Sequence, residues 1–279
     1  MRKQIEGLGE AALRFLREGV ELWRVYVSTI AGLIRGLTNR KARKGSGHGP
    51  KKKTRAQGEL VRQFHAIGNK SIVFIAVTLG FIGMVMTYQA CLQLGRVTGD
   101  YSQVGSQFLR LIISDFGPTL CGLMLATRVG AGIAAEIGSM KVTEQIDALR
   151  MSGVLPIDYL IVPRFIACLV MMLVLAVLGS VVMYFAGAAT AHYSFGVNPN
   201  TFLDLALIRP RHVLLFVLKC LSYGAAIPIV AGFCGLRARG SSEGVGWATT
   251  AAVIGSSFAV IVLDFILSAG ALWLTGGDL

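Results

Sequence analysis

Three ionisable residues stand within long apolar stretches of this 279-residue sequence: Asp115, Lys219 and Asp264. A charged side chain at the centre of a membrane costs about 2.5–3.5 kcal/mol on insertion, so such residues usually face a protein interior or a wet cavity. Two interpretations stay open. Lys219 can form an ion pair with one of the carboxylates, or the three residues can line a polar pocket that receives a charged or zwitterionic headgroup. Both can hold, and the sequence does not show which carboxylate Lys219 meets.

A second group of charged residues lies in a short polar segment between two apolar stretches. Its members are Glu136, Lys141, Glu144, Asp147 and Arg150. They alternate with apolar residues, so we expect one helix with a charged and an apolar face, on which Lys141 can pair with Glu144. The segment must lie outside the hydrocarbon, either as a solvated helix on the membrane surface or as a docking surface for a soluble partner.

The composition is that of a polytopic membrane protein. The sequence is 54% hydrophobic and 15% charged, and its mean hydropathy is +0.63. Residues 1–70 hold 16 Lys and Arg against 5 Asp and Glu, whereas the remainder is nearly neutral. This asymmetry places the N-terminus in the cytoplasm, and it favours anionic lipid headgroups over nucleic acid as the partner of the basic region.

The sequence gives no sign of catalysis or of a metal site. The five cysteines stand singly in apolar stretches, which predicts buried hydrophobic thiols. The four histidines lie far apart, and Gly130-Ala131-Gly132 lacks the strand and the Lys-Ser/Thr pair of a phosphate-binding loop. We therefore expect no enzyme activity, no metal and no cofactor in this chain.

The region before the first apolar stretch divides into two parts. Apolar residues recur at helical spacing over residues 5–37, so residues 1–38 are predicted to form an amphipathic helix in the plane of the inner leaflet. A soluble helix packed on a partner is the alternative. Residues 39–58 are basic, contain no acid, and are predicted to be a flexible linker, either solvated or tethered to anionic lipid. No cleavable signal sequence is visible.

The rest of the chain, residues 59–279, is predicted to be an all-α domain of five membrane spans. A short amphipathic turn at 60–67 leads into the first span, and a short outer helix is expected at 201–207. Gly80 and Gly83 permit close helix contact, whereas Gly117-Pro118 should bend or break the second span. Five crossings leave the C-terminus in the periplasm. The predicted spans are 71–94, 111–126, 165–191, 212–236 and 248–274.

Residues 128–164, RVGAGIAAEIGSMKVTEQIDALRMSGVLPIDYLIVPR, closely resemble the signature of the MlaE family of permeases, the membrane subunits of ABC lipid transporters. Four shorter segments support the resemblance in the same order: FIGMV, FGPTL, EGVGWATT and LDF, which begin at Phe81, Phe116, Glu243 and Leu263. The likeness covers residues 60–275. A long motif accompanied by several others in order is highly specific.

The resemblance implies a homodimer in a bacterial inner membrane. Two copies of a cytoplasmic ATPase, which would carry the ATP and Mg²⁺, would dock on the polar segment, used by the family as a coupling helix between spans 2 and 3. A hexameric ring of MCE-domain protein would sit on the periplasmic side. The residues expected to couple to the ATPase are Glu136, Met140, Lys141, Glu144, Gln145, Asp147 and Arg150.

The family moves phospholipid through an outward-facing cavity at the dimer interface. The resemblance assigns the following residues to it: Met86, Leu94, Val97, Asp115, Phe116, Lys219 and Asp264. The family often has Arg-Glu-Leu where this chain has Ser114-Asp115-Phe116, so one arginine is missing from that corner. Two other functions compete with this one: an ion-coupled secondary transporter that uses Asp115, Lys219 and Asp264, and a scaffold that anchors the MCE ring.

Overall fold

The computed structural model describes residues 25, 27–29, 31, 62–97, 104–153, 155–198 and 208–274. All regular secondary structure in these residues is helical. We number the described α-helices as follows: α1 Lys70–Val97, α2 Val104–Leu111, α3 Gly117–Leu125, α4 Ala131–Val142, α5 Gln145–Met151, α6 Val162–Phe195, α7 Pro210–Leu236 and α8 Ser242–Leu274. Four π-helical turns join or precede them, at His65–Asn69, Ile112–Phe116, Ala126–Gly130 and Ile157–Ile161.

Five continuous helical segments in the described residues are long and apolar enough to cross a membrane, which confirms the predicted number of spans. They are Arg62–Arg96, Val104–Val142, Ile157–Phe195, Pro210–Leu236 and Ser242–Trp273. We call the end of the bundle that holds α4, α5 and the start of α6 the inner end. The opposite end, where α1 ends and α7 begins, is the outer end. These names follow the predicted topology.

The second span differs most from its prediction. It runs without a break from Val104 to Val142, well beyond the predicted 111–126. Of the two outcomes expected at Gly117-Pro118, a bend or a break, the break does not occur. A π-helical turn precedes the proline, and the Gly117 N–H bonds to the carbonyl of Ile112, five residues back. In a regular α-helix, Pro118 could not donate a hydrogen bond to the carbonyl of Ser114, and its ring would clash with that carbonyl. The wider π-helical turn accommodates the proline.

The spans pack through close helix contacts. The first span lies along α6, where a Cβ added to Gly83 would overlap the carbonyl oxygen of Met183. Gly83 therefore allows the approach that the sequence predicted. A Cβ at Gly80 would make only an ordinary contact with Val182, so Gly80 is not required for it. The helix α6 also packs against α7, which in turn packs against α8.

The polar segment between the second and third spans is not one helix, which corrects the expectation for residues 136–150. The first half, with Glu136 and Lys141, is the last part of α4. The chain then turns at Thr143 and Glu144, and Glu144 adopts a left-handed conformation with φ 59°. Ile146, two residues after Glu144, is fully buried. Burial of this side chain holds the short helix α5 against the bundle, and the turn makes that position possible.

Several predictions about the N-terminal region and the outer loops lie outside the described residues. Of the predicted amphipathic helix over 5–37, residues 25, 27–29 and 31 are described, and they are helical. Thr29 is buried there and donates a hydrogen bond to the carbonyl of Val25. The basic linker at 39–58 and the outer helix at 201–207 are not described, so these remain predictions.

Candidate functional site

The three ionisable residues of the apolar spans meet in space. Asp115 lies in the π-helical turn of the second span, Lys219 in α7 and Asp264 in α8. The Lys219 Nζ is 2.6 Å from Asp115 Oδ1 and 2.8 Å from Asp264 Oδ1. Lys219 is fully buried, whereas the Asp115 and Asp264 side chains are 46% and 26% exposed. Lys219 thus pairs with both carboxylates, which answers the question that the sequence left open. We call these three residues the charge triad.

Three hydroxyl groups complete the charge triad. Tyr223 donates to Asp264 Oδ1 over 2.7 Å and Thr119 donates to the same oxygen over 2.9 Å. Ser268 donates to Asp115 Oδ1 over 3.4 Å. Such charge-assisted bonds stabilise carboxylates away from bulk water. None of these three hydroxyls was predicted as part of the site.

A simple spacing rule relates the hydroxyls to the charges. Each hydroxyl lies four residues after a charged member of the triad, so each helix presents one charge and one hydroxyl on the same face. The pairs are Asp115 with Thr119, Lys219 with Tyr223, and Asp264 with Ser268. Polar residues at this spacing in an otherwise apolar span were the signal available in the sequence.

A cavity of about 300 Å³ opens beside Asp115. Its lining combines polar and apolar side chains: Gln107, Arg110, Leu111, Ser114, Asp115, Leu215 and Ser268. Ser114 also contacts the buried ring of His212, with 3.1 Å between Oγ and Nδ1. The cavity therefore offers a cation, a carboxylate and hydroxyls within one small space at the outer end.

The other predicted wall residues are not part of this cavity's lining. Met86, Leu94 and Phe116 are partly buried and pack against the hydrophobic core. The Val97 side chain is outside the described part of the structure, although its backbone ends α1. The structure thus brings together Asp115, Lys219 and Asp264, of which Asp115 alone lines the cavity. Met86, Leu94 and Phe116 are not in its lining.

Ion pairs at the inner end connect three elements. Glu136 lies 2.8 Å from Arg164 at the start of α6, and 3.9 Å from Arg62, which precedes the first π-helical turn. The Arg164 side chain is 3% exposed and that of Glu136 is 43% exposed. Arg128 donates to the Ser71 hydroxyl nearby. These contacts fix α4 relative to the first and third spans.

The expected pair of Lys141 with Glu144 is wrong. Lys141 Nζ instead lies 2.9 Å from Asp147 Oδ2, and Arg150 lies 3.3 Å from Asp147 Oδ1. The turn at Glu144 carries that exposed residue off the helix and brings Asp147 towards α4. The hydrogen bond from Lys141 holds the pKa of Asp147 below its usual value, and the charges of Lys141 and Arg150 act in the same direction.

A shallow groove of about 380 Å³ lies beside the short helix α5 at the inner end. Of the residues expected to couple to the ATPase, Met140 and Gln145 line it, whereas Glu144 and Arg150 are exposed nearby. Met151, at the end of α5, is 91% exposed. The complete lining is Met140, Gln145, Ala148, Leu149, Tyr159 and Leu160.

The described residues contain no group of three or more His, Cys, Asp or Glu side chains that could hold a metal ion. All five cysteines are described and form no disulfide. Cys91, Cys121, Cys168 and Cys220 are buried as predicted, and Cys234 is partly buried.

The fold and the buried charge triad define a multi-pass α-helical membrane protein with a polar site inside its spans. The chain belongs to the MlaE permease family, because the family model "Permease MlaE" matches residues 60–269. This match contains both the charge triad and the polar segment at the inner end. The resemblance found in the sequence is thereby confirmed.

Several named proteins are similar to the chain over about three quarters of its length. A probable ABC transporter permease protein of Synechocystis is 35% identical over 210 residues, which cover 75% of this chain and 80% of that protein. The intermembrane phospholipid transport system permease protein MlaE of Haemophilus influenzae is 32% identical, with 75% and 81% covered. The chloroplastic protein TRIGALACTOSYLDIACYLGLYCEROL 1 of Arabidopsis thaliana is 31% identical, with 75% and 60% covered.

Proposed function

We propose that the chain is the permease subunit of an ABC transporter that moves phospholipids between the inner membrane and an MCE protein. The observation that carries this proposal is the family match over residues 60–269, which includes the spans, the charge triad and the inner polar segment. The similar protein of Haemophilus influenzae is named as a phospholipid transport permease. The chain itself is non-catalytic and needs no cofactor, since ATP and Mg²⁺ act in a separate cytoplasmic ATPase.

The charge triad and its cavity form the polar part of the lipid site. A pocket of about 300 Å³ is at the lower limit for small-molecule sites, so it has room for a headgroup but not for two acyl chains as well. The chains require further apolar surface. In the assembled transporter, Met86, Leu94, Val97 and Phe116 supply it together with a second copy of the subunit.

The groove beside α5 and the residues around it form the docking surface for the ATPase. The surface combines exposed charge with exposed apolar side chains, Met151 above all, as expected where a soluble protein binds. Because Glu136 is held by Arg164, movement of α4 is transmitted to the third span. The coupling residues are thus connected to the bundle by named contacts.

In this assembly the N-terminus and the inner end face the cytoplasm, and the C-terminus faces the periplasm. The amphipathic N-terminal helix lies on the inner leaflet. The hexameric MCE ring contacts the outer end, next to the mouth of the cavity. Labelling of single cysteines placed at Arg96 and Arg150 tests this orientation, since a reagent confined to the periplasm should reach position 96 and leave position 150 unmodified.

Reconstitution tests the function. The permease is incorporated into liposomes with its ATPase and MCE partner, and transfer of fluorescent phospholipid is measured with ATP, without ATP, and with an imposed proton gradient but no ATPase. We expect transfer that requires hydrolysable ATP. Transfer driven by the gradient alone would instead establish the ion-coupled transporter. If the purified permease contained no bound lipid and the complex did not respond to ATP, the scaffold function would be established instead.

Charge reversal tests the docking surface. Glu144→Lys and Asp147→Lys should each reduce co-purification of the ATPase while the permease dimer survives. Glu243→Lys makes the same charge change at the start of α8, also on an exposed residue of the inner end, and serves as the control. Normal ATPase binding by the first two variants would contradict the assignment.

A further inference from the structure

The outer cavity holds two opposite charges that do not neutralise each other. Arg110 and Asp115 both line it. They are five residues apart in the sequence, and Asp115 lies in the π-helical turn that follows the helix of Arg110. Among the residues that the structure describes, the carboxylate of Asp115 pairs with Lys219, and no carboxylate lies within ion-pair distance of Arg110. Arg110 and Asp115 thus line the same small cavity but do not form an ion pair with each other.

Asp115 keeps the capacity to bind a second cation. The described bonds to this carboxylate, from Lys219 and Ser268, both go to Oδ1, and the side chain remains 46% exposed. An ionised carboxylate has about four acceptor sites on its two oxygens. Moreover, the charge triad contains two carboxylates and one ammonium, so it carries a net negative charge that Lys219 alone does not balance.

Further positive charge lies at the start of α7, where Arg209 and Arg211 precede the buried His212. His212 in turn contacts Ser114 of the cavity lining. Arginine is suited to phosphate because its planar guanidinium presents several fixed donors. Arg110 can therefore bind a phosphate in this cavity, whereas Asp115 can bind a cation.

We propose that the cavity selects phospholipids with a zwitterionic, ammonium-bearing headgroup, whose phosphate binds Arg110 and whose ammonium binds Asp115. This inference rests on the proposed function. A headgroup without an ammonium satisfies Arg110 equally well but leaves the net negative charge of the triad unbalanced. The preference therefore arises at Asp115, and the overall affinity for phospholipid arises at Arg110 and the apolar walls.

A matched pair of lipids isolates the ammonium. Phosphatidylethanolamine and N-acetyl phosphatidylethanolamine have the same phosphate and acyl chains, but the second has no ammonium. The purified transporter complex is equilibrated with vesicles that contain both in equal amounts, and its bound lipid is quantified by mass spectrometry. We expect about five- to ten-fold enrichment of phosphatidylethanolamine, as for one partly exposed charge-assisted hydrogen bond.

Two variants assign the two charges. Asp115→Asn keeps the shape of the side chain and should abolish the enrichment while total bound phospholipid remains. Arg110→Gln should reduce the binding of both lipids alike and preserve their ratio. Arg96→Gln removes an exposed arginine from the end of α1 and should change neither quantity.

The outcomes separate this inference from the proposed function. Wild-type complex that binds both lipids in equal amounts would overturn the headgroup preference and leave phospholipid transport intact. An enrichment that persists in Asp115→Asn would overturn the assignment to that carboxylate. Because the lipid pair is compared on the wild-type complex, a variant that fails to fold does not remove the test. Wild-type complex without bound phospholipid would contradict the proposed function itself.

Discussion

The chain carries two sets of ion pairs, one within the membrane spans and one on the surface of the inner end. Comparison of the two shows that ion pairs serve two different purposes in this protein. The charge triad lies inside the spans, and its central residue, Lys219, is fully buried. The pairs around Asp147 at the inner end lie on the surface, where that side chain is 46% exposed. Buried charges are costly and are retained where function requires them, whereas exposed pairs contribute little to stability and remain available to a partner.

The Glu136–Arg164 pair stands between these extremes. Arg164 is almost completely buried, but Glu136 keeps 43% of its side-chain exposure. This exposure is close to that of Asp115, but loss of Lys219 also leaves Asp264, which is only 26% exposed, without its cation. The loss of Arg164 should therefore cost less than the loss of Lys219. The burial of all the carboxylates that lose their cation at a site should rank the three sites.

Removal of Lys219 should have the largest effect. Lys219→Met leaves two carboxylates within the bundle and should lower the free energy of unfolding by about 3–5 kcal/mol, measured by denaturation in detergent. The triple variant Asp115→Asn, Lys219→Met, Asp264→Asn removes all three charges and should recover much of that stability without restoring lipid transfer. Equal loss in both variants would mean that packing of the Lys219 side chain, not its charge, holds the site.

Removal of the half-buried inner pair should have an intermediate effect. Arg164→Met should destabilise the protein by about 1–3 kcal/mol, because Glu136 loses its closest cation but retains water. Arg62→Met is the matched control, since Arg62 is 3.9 Å from the same carboxylate and 66% exposed. It should cost no more than about 0.5 kcal/mol. A loss as large as that of Lys219→Met would contradict the ranking by burial.

The hydroxyl shell of the triad should contribute less than the charges. Tyr223→Phe removes one donor to Asp264 and should cost about 1–2 kcal/mol, because Lys219 and Thr119 still bind that oxygen. Tyr193→Phe removes a hydroxyl from a residue that is 86% exposed and provides the control. Thermal unfolding of both variants checks the difference. A Tyr223→Phe variant as stable as the control would show that its hydroxyl bond adds nothing.

Sequence patterns were sufficient to predict the helical class and the five spans, because unbroken apolar length is itself the physical requirement for crossing a membrane. They also identified Asp115, Lys219 and Asp264, since a charge in an apolar span has few stabilising environments. The pairing was not predictable, because it depends on which helix faces meet across 104 and 45 residues of sequence.

The errors have local causes. The helix does not break at Gly117-Pro118 because a π-helical turn accommodates the proline. The Lys141–Glu144 pair failed because helical spacing was applied across a residue that leaves the helix with φ 59°. Propensity rules treat Glu as a good helix former, and burial of Ile146 overrides that preference here.

The surface pair should have the smallest effect on stability, and the size of that effect should decrease as the pH falls. The pKa of Asp147 is lowered in the folded state, so its contribution is present at neutral pH and is lost as the pH falls through that pKa. Asp147→Asn should therefore lower Tm by about 1 °C or less at pH 7, and the difference from the wild type should vanish in acid or at high salt. At the same time this variant should weaken ATPase binding, so that function and stability separate at the inner end. A decrease in Tm as large as that of Tyr223→Phe, or one that grows as the pH falls, would mean that Asp147 stabilises the fold. The buried and the surface charges would then not differ in their contribution to stability.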